Sequence, residues 1–253
     1  MFVNSVLEQF DIIPLIALRI NFLDFSITNQ TVLLFLIITL FFLFFKFMTH
    51  EDGSLYVIPT RLQAIVEMIF KLVTCIIINN IDAKNGQGFF PLICSIFLFI
   101  LMSNIIGLIP YSFTITSHFI VTFGFSLYLF LAVIYITVRN HGIHFFELFL
   151  PAGTPVLLAL ILVPVEVISY IFRPISLSIR LFANMMAGHT LLKVIAWFAF
   201  ALMNYSGALF LLHIVPLVLL VPLLVLEFAV ALIQALVFSI LISIYLNEAV
   251  KLH

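Results

Sequence analysis

Polar positions divide the chain into long apolar runs separated by short polar breaks, and the runs predict membrane helices. Residues 25–45 contain no Asp, Glu, Lys or Arg and hold VLLFLIITLFFLFF. They predict a span over about 26–48, since a helix needs about 20 apolar residues to cross the hydrocarbon core. Between 55 and 80 the apolar positions are interrupted by Arg61, Glu67 and Lys71, with Glu67 and Lys71 one helical turn apart. That pattern fits an amphipathic helix lying along the interface better than a span. From Asn85 to Val138 no charged residue occurs in 54 positions. Pro110 and the polar stretch Thr114–His118 divide this region into two membrane helices, about 89–109 and 118–138, within 89–138. The last two runs, 153–204 and 207–250, are each helix-compatible over some 45–50 residues. At 1.5 Å per residue each would be about 70 Å long, more than twice the hydrocarbon thickness. Either each breaks into two vertical spans or each lies steeply tilted in the membrane.

Charge placement bears on that choice. Glu166, Arg173 and Arg180 are spaced by seven, which brings them onto one helical face, with Ser176 and Asn184 one turn either side of Arg180. His189 and Lys193, four apart, fall on roughly the opposite side, and Glu227 and Gln234 share a face of the second segment. Charges in hydrocarbon normally meet a bundle interior, water or another charge. Polar stripes running along both helices therefore point to an ion or proton path. The bland readings stand beside this one. Arg173 can serve as an interfacial anchor before Pro174, Arg180 can snorkel, and Glu227 can simply pair with a neighbouring helix.

Composition removes the soluble alternatives. Of 253 residues, 65% are hydrophobic and 8% charged, where a soluble domain carries roughly a quarter charged. With a mean hydropathy of +1.35 this is an integral membrane protein, neither soluble nor disordered. A formal net charge of −1 leaves no cationic footprint for nucleic acid. Cys75 and Cys94 lie in apolar stretches without CxxC spacing and read as buried small hydrophobes. No P-loop, nucleotide fingerprint or catalytic cluster occurs, and His141 and His144 read as interfacial rather than metal-binding. No metal and no cofactor is expected. Residues 1–25, with Glu8, Asp11, Arg19 and Asp24 among apolar residues, read as an extramembrane or interfacial lead-in, its removal as a leader left open.

Three strings carry a family resemblance. PISLSIRLFANMMAGHTLLKVI (174–195) resembles the signature of subunit a of the F-type ATP synthases, LEFAVALIQALVFSILISIYLNEA (226–249) is similar to that family's C-terminal helix, and SNIIGLIPYSFTITSH (103–118) matches its earlier loop. The resemblance begins near residue 25. It implies an all-α integral membrane protein in one membrane domain. Vertical helices and an interfacial helix would precede two long tilted helices, which form a hairpin against a ring of c subunits.

What the resemblance implies for function is a proton-translocating stator subunit, not itself an enzyme, with H⁺ as the transported ion. Arg180 would be the essential arginine facing the ring. His189 and Glu227 match the interacting pair of the proton-entry half-channel, in the arrangement of the mitochondrial and alphaproteobacterial version. Glu166 and Glu248 match acidic positions of the opposite half-channel, while Asn184 and Gln234 flank the arginine, with Arg173 and Ser176 in support. The implied partners are the c ring, b-type and small membrane stator subunits, membrane lipids and, indirectly, the catalytic head. The implied location is the mitochondrial inner membrane, with the bacterial plasma membrane as alternative. A secondary transporter or channel would favour internal repeats, and none is found between the halves. A proton-pumping redox subunit would predict haem-spaced histidines, whereas the seven present are scattered.

Overall fold

The computed structural model describes residues 8–17, 19–20, 23–46, 61–81, 86–109, 112–142, 145, 156–203 and 212–250. Six long helices dominate them. They are α1 (Asn29–Lys46), α2 (Arg61–Ile81), α3 (Phe90–Gly107), α4 (Phe119–His141), α5 (Val156–Met203) and α6 (Ile214–Val250). All but α1 are long and apolar enough to cross a membrane, and α1 has a shorter apolar stretch, Asn29–Phe44. The pair α3 and α4 falls where Pro110 and the Thr114–His118 stretch placed two helices. A crossing is also open to α2 by length and composition. It buries the stripe Val66, Val73, Ile77 and Ile81 while Lys71 faces outward.

The two C-terminal segments are each one continuous helix, of 48 and 37 residues. At 1.5 Å per residue α5 is about 72 Å long. Neither Pro164 and Pro174 in α5 nor Pro222 in α6 ends its helix. Each proline lacks an N–H and so removes one backbone bond, to the carbonyl four residues earlier, a loss that a membrane helix tolerates. At Pro174 the helix is also tied to α4, Ser126 donating its Oγ–H to the Pro174 carbonyl at 3.0 Å. The turn placed near Asn204–Gly207 lies outside the described residues.

Beside the helices that make up the fold, the N-terminal lead-in carries short strands. β1 (Pro14–Ile16) pairs antiparallel with β4 (Ile27–Thr28), and β2 (Arg19–Ile20) with β3 (Leu23–Asp24). The Ile and Leu residues of these strands suit such short pairings, and Asn29 then starts α1, its Oδ1 accepting from Gln30 N–H at 2.9 Å.

The chain forms two compact units, each assembled from three stretches: residues 1–43, 99–118 and 181–235 in the first, the rest in the second. In the first unit small residues let helices approach. Ala231 and Ala235 of α6 are fully buried, and Asn104 of α3 donates to the Ala231 carbonyl at 3.3 Å. Without water between helices, close packing of small residues and hydrogen bonds of this type hold a membrane bundle together. The second unit follows the same rule. Asn80 of α2 donates to buried Ser243 of α6 at 2.7 Å, and Phe125 of α4 stacks on buried Phe238 at 5.8 Å. Cys94 is buried as expected, whereas Cys75 is exposed, because α2 turns that face outward.

Candidate functional site

Three polar pairs join α5 to α6, and each side chain in them stands on a helix that is otherwise apolar. In the first unit Asn184 Nδ2–H donates to Gln234 Oε1 at 3.1 Å, and His189 Nε2 lies 3.7 Å from Glu227 Oε1. The partner numbers fall on α6 as they rise on α5, so the two helices run antiparallel here. The resemblance implied an interacting His189–Glu227 pair and placed Asn184 and Gln234 only beside the arginine; the structure sets His189 near Glu227 and hydrogen-bonds Asn184 to Gln234.

The His189–Glu227 pair is well enclosed, with side-chain exposures of 12% and 6%. At 3.7 Å the separation is too long for a direct hydrogen bond, yet a small side-chain movement closes it. Both Glu227 oxygens and His189 Nε2 are buried without a hydrogen-bond partner among the described residues. Buried polar groups are normally satisfied, so three such atoms on two neighbouring ionisable side chains call for an explanation beyond packing. Two glycines make the enclosure possible. A Cβ at Gly188 would lie 2.7 Å from Glu227 Oε1, so the carboxylate rests on bare α5 backbone. A Cβ at Gly107 would lie 2.8 Å from Thr114 Cγ2 and 3.9 Å from His189 Nε2, so that glycine lets the 112–118 loop close beside the imidazole.

In the second unit Arg173 donates from Nη1 to Glu248 Oε2. Its guanidinium also sits over the rings of Tyr170 and Tyr245, 5.0 and 4.9 Å from their centroids. A cation between two aromatic faces and a carboxylate is held by both attractions at once. Arg173, for which an interfacial anchor was one reading, is turned by α5 towards α6. Glu248, which the resemblance matches to a half-channel with Glu166, shares a carboxylate oxygen with Arg173. Glu166 itself is half-buried.

Arg180 and Ser176 are exposed, and among the described residues no acid pairs with Arg180. Sequence reasoning passed over Gly188, Gly107, Tyr170 and Tyr245. The signal at Gly188 was present: glycine inside a long helix costs about 1 kcal/mol relative to alanine and marks a close approach. Among the described residues no group of three His, Cys, Asp or Glu is placed to hold a metal.

Long apolar helices carrying buried polar pairs define a polytopic α-helical membrane protein with ionisable groups inside the bundle. The sequence comparisons then settle the family. Residues 31–247 match the ATP synthase A chain family, and this chain belongs to it. It is similar to ATP synthase subunit a of Pylaiella littoralis, 50% identical over 250 residues covering 99% of each chain. The Marchantia polymorpha subunit a is 47% identical, covering 98% of this chain and 99% of its own. The bacterial subunit a of Rhodospirillum rubrum is 42% identical over 99% of this chain and all of its own.

Proposed function

We propose that this chain is the stator subunit that carries protons through the membrane sector of an ATP synthase, coupling their flow to rotation of a c ring. Family membership supports an Fo subunit that translocates protons and leaves nucleotide chemistry to other subunits. The observation that carries the finer reading is the enclosed His189–Glu227 pair, set on antiparallel helices beside Asn184–Gln234.

In this reading a carboxylate on the ring takes a proton delivered past His189 and Glu227. Once neutral it moves through lipid without the cost of a buried charge. After nearly a full turn it meets a second aqueous half-channel, bordered by Glu166 and Glu248, and releases the proton to the other side. Arg180 stands between the half-channels. Its charge is permanent, so it stabilises the ring carboxylate in its deprotonated form and repels protons that would otherwise leak across. Its outward exposure, with no acid opposite among the described residues, suits a group that meets an acid on another subunit. Each charge crossing is driven by about 2.3 kcal/mol per 100 mV, added to the pH gradient. The long helices α5 and α6 would lie tilted against the ring, the rest of the stator behind them. The location in this reading is the mitochondrial inner membrane. H⁺ is the transported ion, and no cofactor enters.

The test is Arg180→Ala in the assembled complex. It is expected to abolish proton-driven ATP synthesis while the subunit still co-purifies with the ring of small subunits. Wild-type synthesis in assembled Arg180→Ala complex defeats the reading. Membrane-impermeant thiol labelling of cysteines at 166, 248, 189 and 227, in a chain lacking Cys75 and Cys94, tests the two half-channels. All four labelled from one side would refute that assignment.

A further inference from the structure

The N-terminal lead-in bears on the buried pair. Phe10 places its ring edge-on to the His189 imidazole, centroids 6.4 Å apart and planes inclined at 71°. Phe10 is carried there by backbone that is fastened at several points. The Phe10 carbonyl accepts from His118 Nε2–H at 3.0 Å. Because a carbonyl can only accept, that nitrogen carries the proton. Three residues further on, Ile13 N–H donates to Asn29 Oδ1 at 3.3 Å, and Asn29 Nδ2–H donates to the Asp11 carbonyl at 3.0 Å. His118 is itself braced, its ring 4.9 Å from that of Phe113. By contrast the ladders behind Phe10 are only two or three residues long, below what holds a hairpin together unaided. Ile12, Ile13, Leu15 and Ile16 are all at least half exposed. The segment is therefore held by its clasps rather than by a core of its own.

We infer that Phe10 is a positioning residue of the His189–Glu227 site, latched over the imidazole by His118. Three neighbours surround the His189 ring: the Glu227 carboxylate, the bare Gly107 backbone and the Phe10 ring. The first two fix its approach to the acid. The third stops the ring from turning away and keeps its outer side from water. Aromatic edge contacts of this kind contribute about 0.5–1.5 kcal/mol beyond the area they bury, enough to favour one ring orientation several-fold. The segment thus belongs to the site, although it follows none of the motifs that mark the rest of the chain.

The inference rests on the proposed proton path for its consequence alone, since the cover itself is measured without reference to transport. The assembled complex is treated with diethyl pyrocarbonate, and carbethoxylation of each histidine is followed by mass spectrometry. Phe10→Ala and His118→Ala are each expected to raise the labelling rate of His189 several-fold, with His141 and His213 unchanged. Phe10→Tyr, which keeps the ring, and His118→Gln, which keeps an N–H donor, are expected to stay near the wild-type rate. Should Phe10→Ala not assemble, Phe10→Leu takes its place and is expected to show the same rise, having bulk but no ring edge. Unchanged His189 labelling in assembled Phe10→Leu and His118→Ala overturns the inference. So does a rise at His141 and His213 equal to that at His189, which reports general loosening. A transport defect in Arg180→Ala bears only on the function, and His189 labelling only on the cover, so the two fail separately.

Discussion

Gly188→Ala adds one methyl group at the place where the Glu227 side chain of α6 rests against α5. The new Cβ would stand 2.7 Å from Glu227 Oε1, 3.0 Å from its Cδ and 3.2 Å from its Cγ. Non-bonded carbon atoms settle at about 3.5–4.0 Å, so the end of the glutamate must retreat by roughly 0.5–1 Å. Overpacking of this kind costs about 1–3 kcal/mol when the surroundings are stiff. Against it, alanine in a helix interior is favoured over glycine by about 1 kcal/mol. The closest atom is the tip of a flexible side chain rather than backbone, so the carboxylate swings aside and the helices stay in place. The expected outcome is a complex assembled at wild-type levels in which Glu227 no longer addresses His189. Misplacing a reacting group by about 1 Å can cost a hundred-fold in rate, so proton-driven ATP synthesis should fall by about ten- to a hundred-fold. The assay is ATP synthesis by purified complex in liposomes under an imposed pH gradient and potential, normalised to subunit content on a blot. Synthesis at the wild-type rate would refute the argument, because the carboxylate would then have no fixed place to lose. Loss of the assembled subunit would refute it from the other side, showing a clash of backbones.

Other perturbations separate the three polar pairs. The exchange His189→Glu with Glu227→His is expected to restore part of the transport lost in either single variant, since the pair's chemistry is kept; a double variant no better than the worse single one counts against a shared relay. Arg173→Ala should lower the thermal stability of the complex more than Tyr170→Leu does, as it leaves Glu248 without its cation while the tyrosine change removes only one of two flanking rings; equal melting temperatures would contradict this. Its effect on ATP synthesis should nevertheless be milder than that of Arg180→Ala. Asn184→Leu leaves buried Gln234 without its hydrogen-bond donor, a loss of about 1–3 kcal/mol, expected as a lower melting temperature that Asn184→Leu with Gln234→Leu partly restores; a double variant less stable than the single one argues against the bond.

The helices were legible because hydrophobic runs and their polar breaks are local. Pro110 and Thr114–His118 separated α3 from α4 with no knowledge of tertiary structure. Periodicity likewise placed Glu166, Arg173 and Arg180 on one face of a helix. It does not say which partner each face meets. Arg173 turns to Glu248 and two tyrosines, while Arg180, seven residues on, stays exposed. Only the resemblance matched His189 with Glu227, because the 37 intervening residues carry no local record of the pairing. Whether the long segments broke was also undecided by sequence, since Pro164, Pro174 and Pro222 are normal stopping signals. All three nevertheless lie inside continuous helices, and at Pro174 the tie to α4 comes from Ser126, 48 residues away and invisible to local pattern. The strands at the N-terminus escaped notice for another reason. Four strands of two or three residues, in two pairings, are too short to leave a period.

The lone guanidinium of Arg180 bears on how the protein is made and kept. An arginine near the middle of a membrane helix costs about 2.5–3.5 kcal/mol on insertion scales, and no acid of the described chain offsets it. On the reading proposed above, a newly inserted copy carries a charge that an acid on a second subunit would offset. Its lifetime in the bilayer should be set by the supply of that subunit: scarce partner, rapid removal by membrane proteases; ample partner, accumulation. Pulse-chase measurement of the chain in cells depleted of the small ring subunit should show a shortened half-life, and Arg180→Leu, which carries no charge, should lengthen it again.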